Sequence, residues 1–137
     1  MKDTPLFKQT VTLLLTIAVL DLMAFVFYLH WTLWWYDVLL HFLSGFCVAM
    51  ATVMFWNYFR DASQTSVLKM IFIALLGTFI VGFLWEVYEL LLGATSFLEG
   101  AAYWRDTASD LVMDTSGGFF GALYSFRKKL SNLQKHL

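Results

Sequence analysis

The stretch Trp104-Arg105-Asp106-Thr107-Ala108-Ser109-Asp110-Leu111-Val112-Met113-Asp114 decides how this chain must fold. Three aspartates stand four residues apart at the head of a segment that is otherwise largely apolar to Phe126. In a helix four residues advance about 400°, so Asp106, Asp110 and Asp114 fan over roughly 80° of one face and about 12 Å of its length. The surroundings of that stripe are hydrocarbon-like: 60% of the 137 residues are hydrophobic and 14% charged. A soluble domain has about 45–50% and 25%. The composition is that of a membrane protein, where an ionised aspartate near the bilayer centre costs about 2.5–3.5 kcal/mol. The rest of the chain must supply what makes the stripe tolerable.

The expected architecture is all-α, a four-transmembrane-helix bundle forming a single integral membrane domain over residues 1–137, with spans at about 7–28, 36–59, 67–92 and 106–126. Residues 30–35 read as a short aromatic turn, 60–66 as a polar loop, 93–105 as a longer loop, and the chain ends in a basic tail. A secretory signal peptide is the rival reading of the first span, but no A-x-A-like site follows it and Asp21 interrupts the run. Internal repeats and low-complexity segments are absent, and the single Cys47 rules out an intramolecular disulfide. The lipid bilayer is the expected partner and nucleic acid is not; oligomeric state is not legible.

Lys2, Lys8, Arg60, Lys69, Arg127, Lys128, Lys129 and Lys135 fall on one side of a four-span topology and only Arg105 on the other. Eight against one predicts that both termini are cytoplasmic. Trp31, Trp34, Trp35 and Trp104 then gather at the outer interface, and Trp56 and Tyr58 at the inner one. Placed by depth, Asp21, Asp37, Glu86, Glu89, Asp106, Asp110 and Asp114, seven of the ten acidic residues, form one layer in the outer half.

Spacing gives that layer a chemistry. Asp37 and His41 are an i, i+4 pair and Glu86 and Glu89 an i, i+3 pair, so each pair shares a helical face. Carboxylates and imidazoles at helical spacing on facing helices build the metal sites of bundle cores. Oxygen donors with one imidazole and no thiolate suit Mg, Mn, Fe or Zn. Seven carboxylates around one His and at most one Arg require either a bound divalent metal ion or shared protons. Plainer roles compete: Asp21 as an interhelical hydrogen-bonding anchor, Asp37 and Asp106 as helix caps. Glu86 and Asp114 are too deep for these. Trp85 and Tyr88 read as belt aromatics, and Met23, Met50, Met54, Met70 and Met113 as filler. Gly117-x-x-x-Gly121, Thr78-x-x-x-Gly82 and Gly45-x-x-x-Ala49 predict close backbone approach, with the last span central.

The run Tyr36-Asp37-x-x-x-His41-Phe42, then Leu84-Trp85-Glu86-x-x-Glu89, then Asp106-Thr107-x-x-Asp110-x-x-x-Asp114-Thr115-x-Gly117, resembles the YjdF-like family of bacterial inner-membrane proteins over about Tyr36 to Gly121. The same order is similar to VanZ-like proteins, some of which are associated with glycopeptide resistance. Asp114 stands where the VanZ-like pattern has Asn, which adds a negative charge, and the chain is shorter than typical YjdF-like members. The resemblance implies the bacterial inner membrane and a shared polar site, and it brings no established reaction.

Two function classes follow. One is a metal-dependent hydrolase or transferase acting on a lipid-linked or envelope substrate, with Asp37, His41, Glu86, Asp110 and Asp114 as ligands, Glu89 as general base and Arg105 holding an anionic group. No Ser-His or Cys-His arrangement supports acyl transfer. The other is a non-catalytic protein handling ions or protons, or a structural one. A complete channel would need polar residues in the cytoplasmic half, and few are there.

Overall fold

In a computed structural model of the chain, residues 5–60 and 66–134 are described, the side chains only as far as residue 128. Lys2, loop residues 61–65 and Lys135 lie outside the described residues, as does the side chain of Lys129. The described elements are α1 Pro5–Val26, α2 Leu29–Thr32, α3 Trp34–Phe59, α4 Val67–Leu92, a 3-10 turn Phe97–Glu99, and α5 Ala101–Gln134. Of these, α1, α3 and α4 are long and apolar enough to cross a membrane. The 34-residue α5 is longer still, but the aspartates of its first half and the basic residues of its second lower its apolarity.

Local signals set the ends. Ser66 caps α4 by accepting from the Lys69 amide at 3.3 Å. Gly93, at φ 70°, ends α4 in the left-handed conformation that a helix stop favours, its amide reaching the Glu89 and Leu90 carbonyls. Tyr28 takes φ 57° without being glycine, which costs a residue with a Cβ about 1–2 kcal/mol. That bend lets α2 turn across the end of α1.

The aromatic turn expected at residues 30–35 is therefore partly helical, and two caps are corrected. α3 starts at Trp34 with Leu33 at its cap, so Asp37 lies inside the first turn. The loop expected at 93–105 ends early, because Ala101 and Ala102 favour helix directly after Gly100, whose φ is 63°. Asp106 is thus a second-turn residue, exposed, and not a cap.

Glycines fix how the helices meet. A Cβ on Gly117 would strike the Phe42 carbonyl, one on Gly121 the Phe46 carbonyl, and one on Gly45 the Asp114 carbonyl. The partners advance four residues for four, so α3 and α5 run parallel, backbone against backbone, as small residues at this spacing permit. α4 runs antiparallel to α5, with Gly118 against Thr78 and Thr107 bonded to Glu86. Among the described residues α1 packs chiefly on α3, through Tyr36 Oη donating to the Leu20 carbonyl at 3.0 Å and through Ala24, Tyr36 and Leu40. The far half of the bundle is a dry core of Ala49, Val53, Met70, Ala74 and Ala122. Of the methionines read as filler, Met50 and Met70 are core and Met23 is exposed.

Candidate metal centre

The acids meet where α3, α4 and α5 converge at the opposite end from the dry core. His41 occupies the second turn of α3 and is 7% exposed, between Asp110 at 3% and Asp114 at 4% on α5. Its Nδ1 lies 3.4 Å from Asp114 Oδ2. A carboxylate only accepts, so this contact selects the tautomer in which Nδ1 carries the proton. His41 Nε2 faces Asp37 Oδ2 and Asp110 Oδ1, each at 3.9 Å, beyond hydrogen-bond reach. The three donor atoms of Asp37, His41 and Asp110 all lie within 4.8 Å of one another. Ligands about 2.0–2.2 Å from a tetrahedral ion stand roughly 3.4 Å apart, so the two 3.9 Å contacts would close by about half an ångström around an ion, and the remaining separation, within 4.8 Å, by more. A ligating imidazole whose other nitrogen is held by a carboxylate is the recurrent outer-shell arrangement of such sites.

Asp114 reaches this position because α4 has no side chain there. A Cβ on Gly82 would lie 2.5 Å from Asp114 Oδ2. One turn further along α4, Glu86 is 4% exposed; its Oε2 accepts from Thr107 Oγ1 at 2.7 Å, while Oε1 is buried without a hydrogen-bond partner. A buried carboxylate oxygen without a partner is rare enough to require an explanation, and a bound ion is one.

Of the five expected ligands, the structure thus brings the donor atoms of Asp37, His41 and Asp110 together, holds Asp114 against the other nitrogen of His41, and bonds Glu86 to Thr107 outside that trio. Glu89 is half-buried and accepts from the Trp85 indole at 3.0 Å, so Trp85 orients it. Arg105 does not join: it is exposed on α5, its Nε donating to the Ala101 carbonyl at 3.4 Å.

One contributor was missed. His30 on α2 places Nδ1 2.9 Å from Asp37 Oδ1 and Nε2 3.5 Å from Asp21 Oδ1. It ties α1 to α3 and occupies the Asp37 oxygen that does not face His41. The i, i+7 separation of His30 and Asp37 was visible, but it signals contact only in an unbroken helix, and the chain breaks at Leu33. Asp21, placed in the acidic layer by depth, has a side chain 52% exposed and, among the described residues, meets the cluster through His30.

The profile of one family, described as predicted membrane protein (DUF2238), matches residues 2–130. No curated protein and no solved structure matches the chain.

Proposed function

Because the chain belongs to this family of membrane proteins, we propose that it is a divalent-metal protein of the bacterial inner membrane. Asp37, His41 and Asp110 hold the ion, Asp114 orients His41, and Glu86 completes the donor set. The observation that carries this reading is His41 Nε2 flanked by two carboxylate oxygens at 3.9 Å, with no hydrogen bond between them.

The wider setting is a four-span bundle with α5 as the fourth span and both termini cytoplasmic. The eight-to-one distribution of Lys and Arg supports it. So does Trp56, whose ring lies under both Arg60 and Lys69 at the basic end. The YjdF-like resemblance is consistent with the family; the VanZ-like one rests on its motif alone.

A divalent ion in an open site supplies a Lewis acid and an activated water, which suits hydrolysis or transfer of a lipid-linked or envelope phosphate. In this chain Asp37, the least buried of the three donors, marks the side from which a substrate arrives. Glu89 is the general base, held by Trp85. Arg105, exposed one turn before the cluster begins, meets an anionic group in the headgroup layer.

The test is elemental analysis of the full-length protein purified in detergent after growth with Mn, Zn, Fe and Mg. About one ion per chain is expected, lost in Asp110→Asn and bound roughly 10–100-fold more weakly in Asp114→Asn. A protein that carries no stoichiometric metal, and gains no thermal stability from added metal, ends the reading.

One observation favours a second reading, proton handling without metal: Asp21, His30, Asp37, His41 and Asp114 alternate acid and imidazole from the exposed edge inward. Beyond Asp114 the core of Ala49, Val53, Met70, Ala74 and Ala122 is apolar, and the buried Thr78 and Ser125 bond carbonyls of their own helices, so the series has no buried acid or imidazole to continue it among the described residues.

A further inference from the structure

The end of the molecule opposite the acidic cluster carries a feature that the metal site does not use. Arg60, the residue that stops α3, has its guanidinium 5.9 Å from the centre of the Trp56 ring. Lys69, in the first turn of α4, has its ammonium 5.6 Å from the same ring. Both side chains are exposed, and neither pairs with a carboxylate among the described residues. The Trp56 indole nitrogen is buried with no acceptor among the described residues.

Helical periodicity extends this feature into the bilayer. Thr52 and Trp56 form a short i, i+4 stripe on α3, which Arg60 follows just past the helix end, and Lys69, Ile73, Gly77 and Val81 form one on α4. The two stripes face each other, since a Cβ on Gly77 would lie 2.6 Å from Thr52 Oγ1. Along that seam lies an open groove of about 470 Å³ lined by Val48, Ala51, Thr52, Met54, Phe55 and Val81. Its lining is almost entirely apolar, and its volume falls within the roughly 300–1,000 Å³ of ligand sites. The cationic pair at Trp56 and the apolar groove at Thr52 and Val81 therefore share the α3–α4 seam, the charges nearer its end and the hydrocarbon-like trough further along it.

We propose that this seam is a binding site for one anionic phospholipid, its phosphate between Arg60 and Lys69 and one acyl chain in the groove. The charge near the end of the seam selects the headgroup: a zwitterionic lipid brings a cation of its own to two cations already present. Each basic residue near an anionic headgroup contributes roughly fivefold in affinity. The groove accounts for why these two cations, and not the others at this end, form the site. The proposal is independent of the metal reading, because no residue is shared.

The experiment offers the delipidated full-length protein equal amounts of phosphatidylglycerol and phosphatidylcholine with identical acyl chains and counts bound lipids by native mass spectrometry. One phosphatidylglycerol per chain is expected, preferred about 25-fold. The preference should fall to near parity in R60Q/K69Q and persist in R127Q/K128Q, which removes equal charge from the same end. Ala51→Phe, which fills the groove, should reduce retention of both lipids. Parity in the unmodified protein, or equal loss in the two double variants, overturns the proposal in favour of diffuse surface charge. A dimer mass that replaces the lipid-bound monomer and disappears in Ala51→Phe assigns the groove to a second copy and overturns it as well.

Discussion

The two halves of the α3–α4–α5 bundle are packed alike and stabilised differently. In both, small residues let the backbones approach: Gly45, Gly82 and Gly117 at one end, Ala49, Ala74, Gly121 and Ala122 at the other. At the basic end the space is filled by Val53 and Met70, each 1% exposed, and dispersion suffices. At the acidic end the same closeness encloses Glu86, Asp110 and Asp114 with one imidazole. Low-dielectric packing that strengthens a satisfied polar group penalises an unsatisfied one. Tight packing is therefore a sufficient stabiliser in one half, and in the other it creates a requirement that the proposed metal ion would meet.

The largest expected effect breaks both halves together. Gly45→Leu would drive a side chain into the Asp114 backbone carbonyl, an atom that cannot rotate aside. The parallel α3–α5 seam should not form, and fluorescence-detected size exclusion should show aggregate in place of a folded peak. Next is Met70→Ala, confined to the dry half, where the cavity should lower stability by about 2–3 kcal/mol. Metal content should be unchanged; a parallel loss of metal would mean that the halves are coupled. The smallest effect sharpens the contrast from the other side. A Cβ at Gly82 meets only the tip of the Asp114 carboxylate and, at 3.4 Å, Leu111. Gly82→Ala should therefore cost under about 1 kcal/mol in thermal unfolding, because a side chain can rotate where a backbone cannot. Displacing the carboxylate that orients His41 should nonetheless weaken metal binding several-fold in a metal titration. Unchanged affinity would remove Asp114 from that role.

Several parts of the fold were legible because they depend on near neighbours in the sequence. The three apolar helices, the stops near Phe59 and Leu92, and the small-residue stripes follow from composition and helical spacing. The facing of Asp37 and His41 followed from four-residue spacing on one helix. The start of α5 was misjudged because two alanines between a glycine and an acidic stripe look like loop until the helix is seen to run through them. His30 was passed over because its role depends on the left-handed bend at Tyr28, which β-carbon sterics disfavour and only packing around it enforces.

By itself the sequence determined a membrane-apolar chain of helices with charge segregated by sign and acids stacked in one layer, since hydropathy and helical period are properties of the chain alone. Which acids touch was decided by the tertiary structure. Parallel packing of α3 on α5 brings Asp110 and Asp114 to His41, the missing side chain of Gly82 admits the Asp114 carboxylate, and the exposure of α5 at Arg105 keeps that cation out of the cluster. Contacts across about seventy residues of sequence depend on how backbones nest, and no local period encodes that.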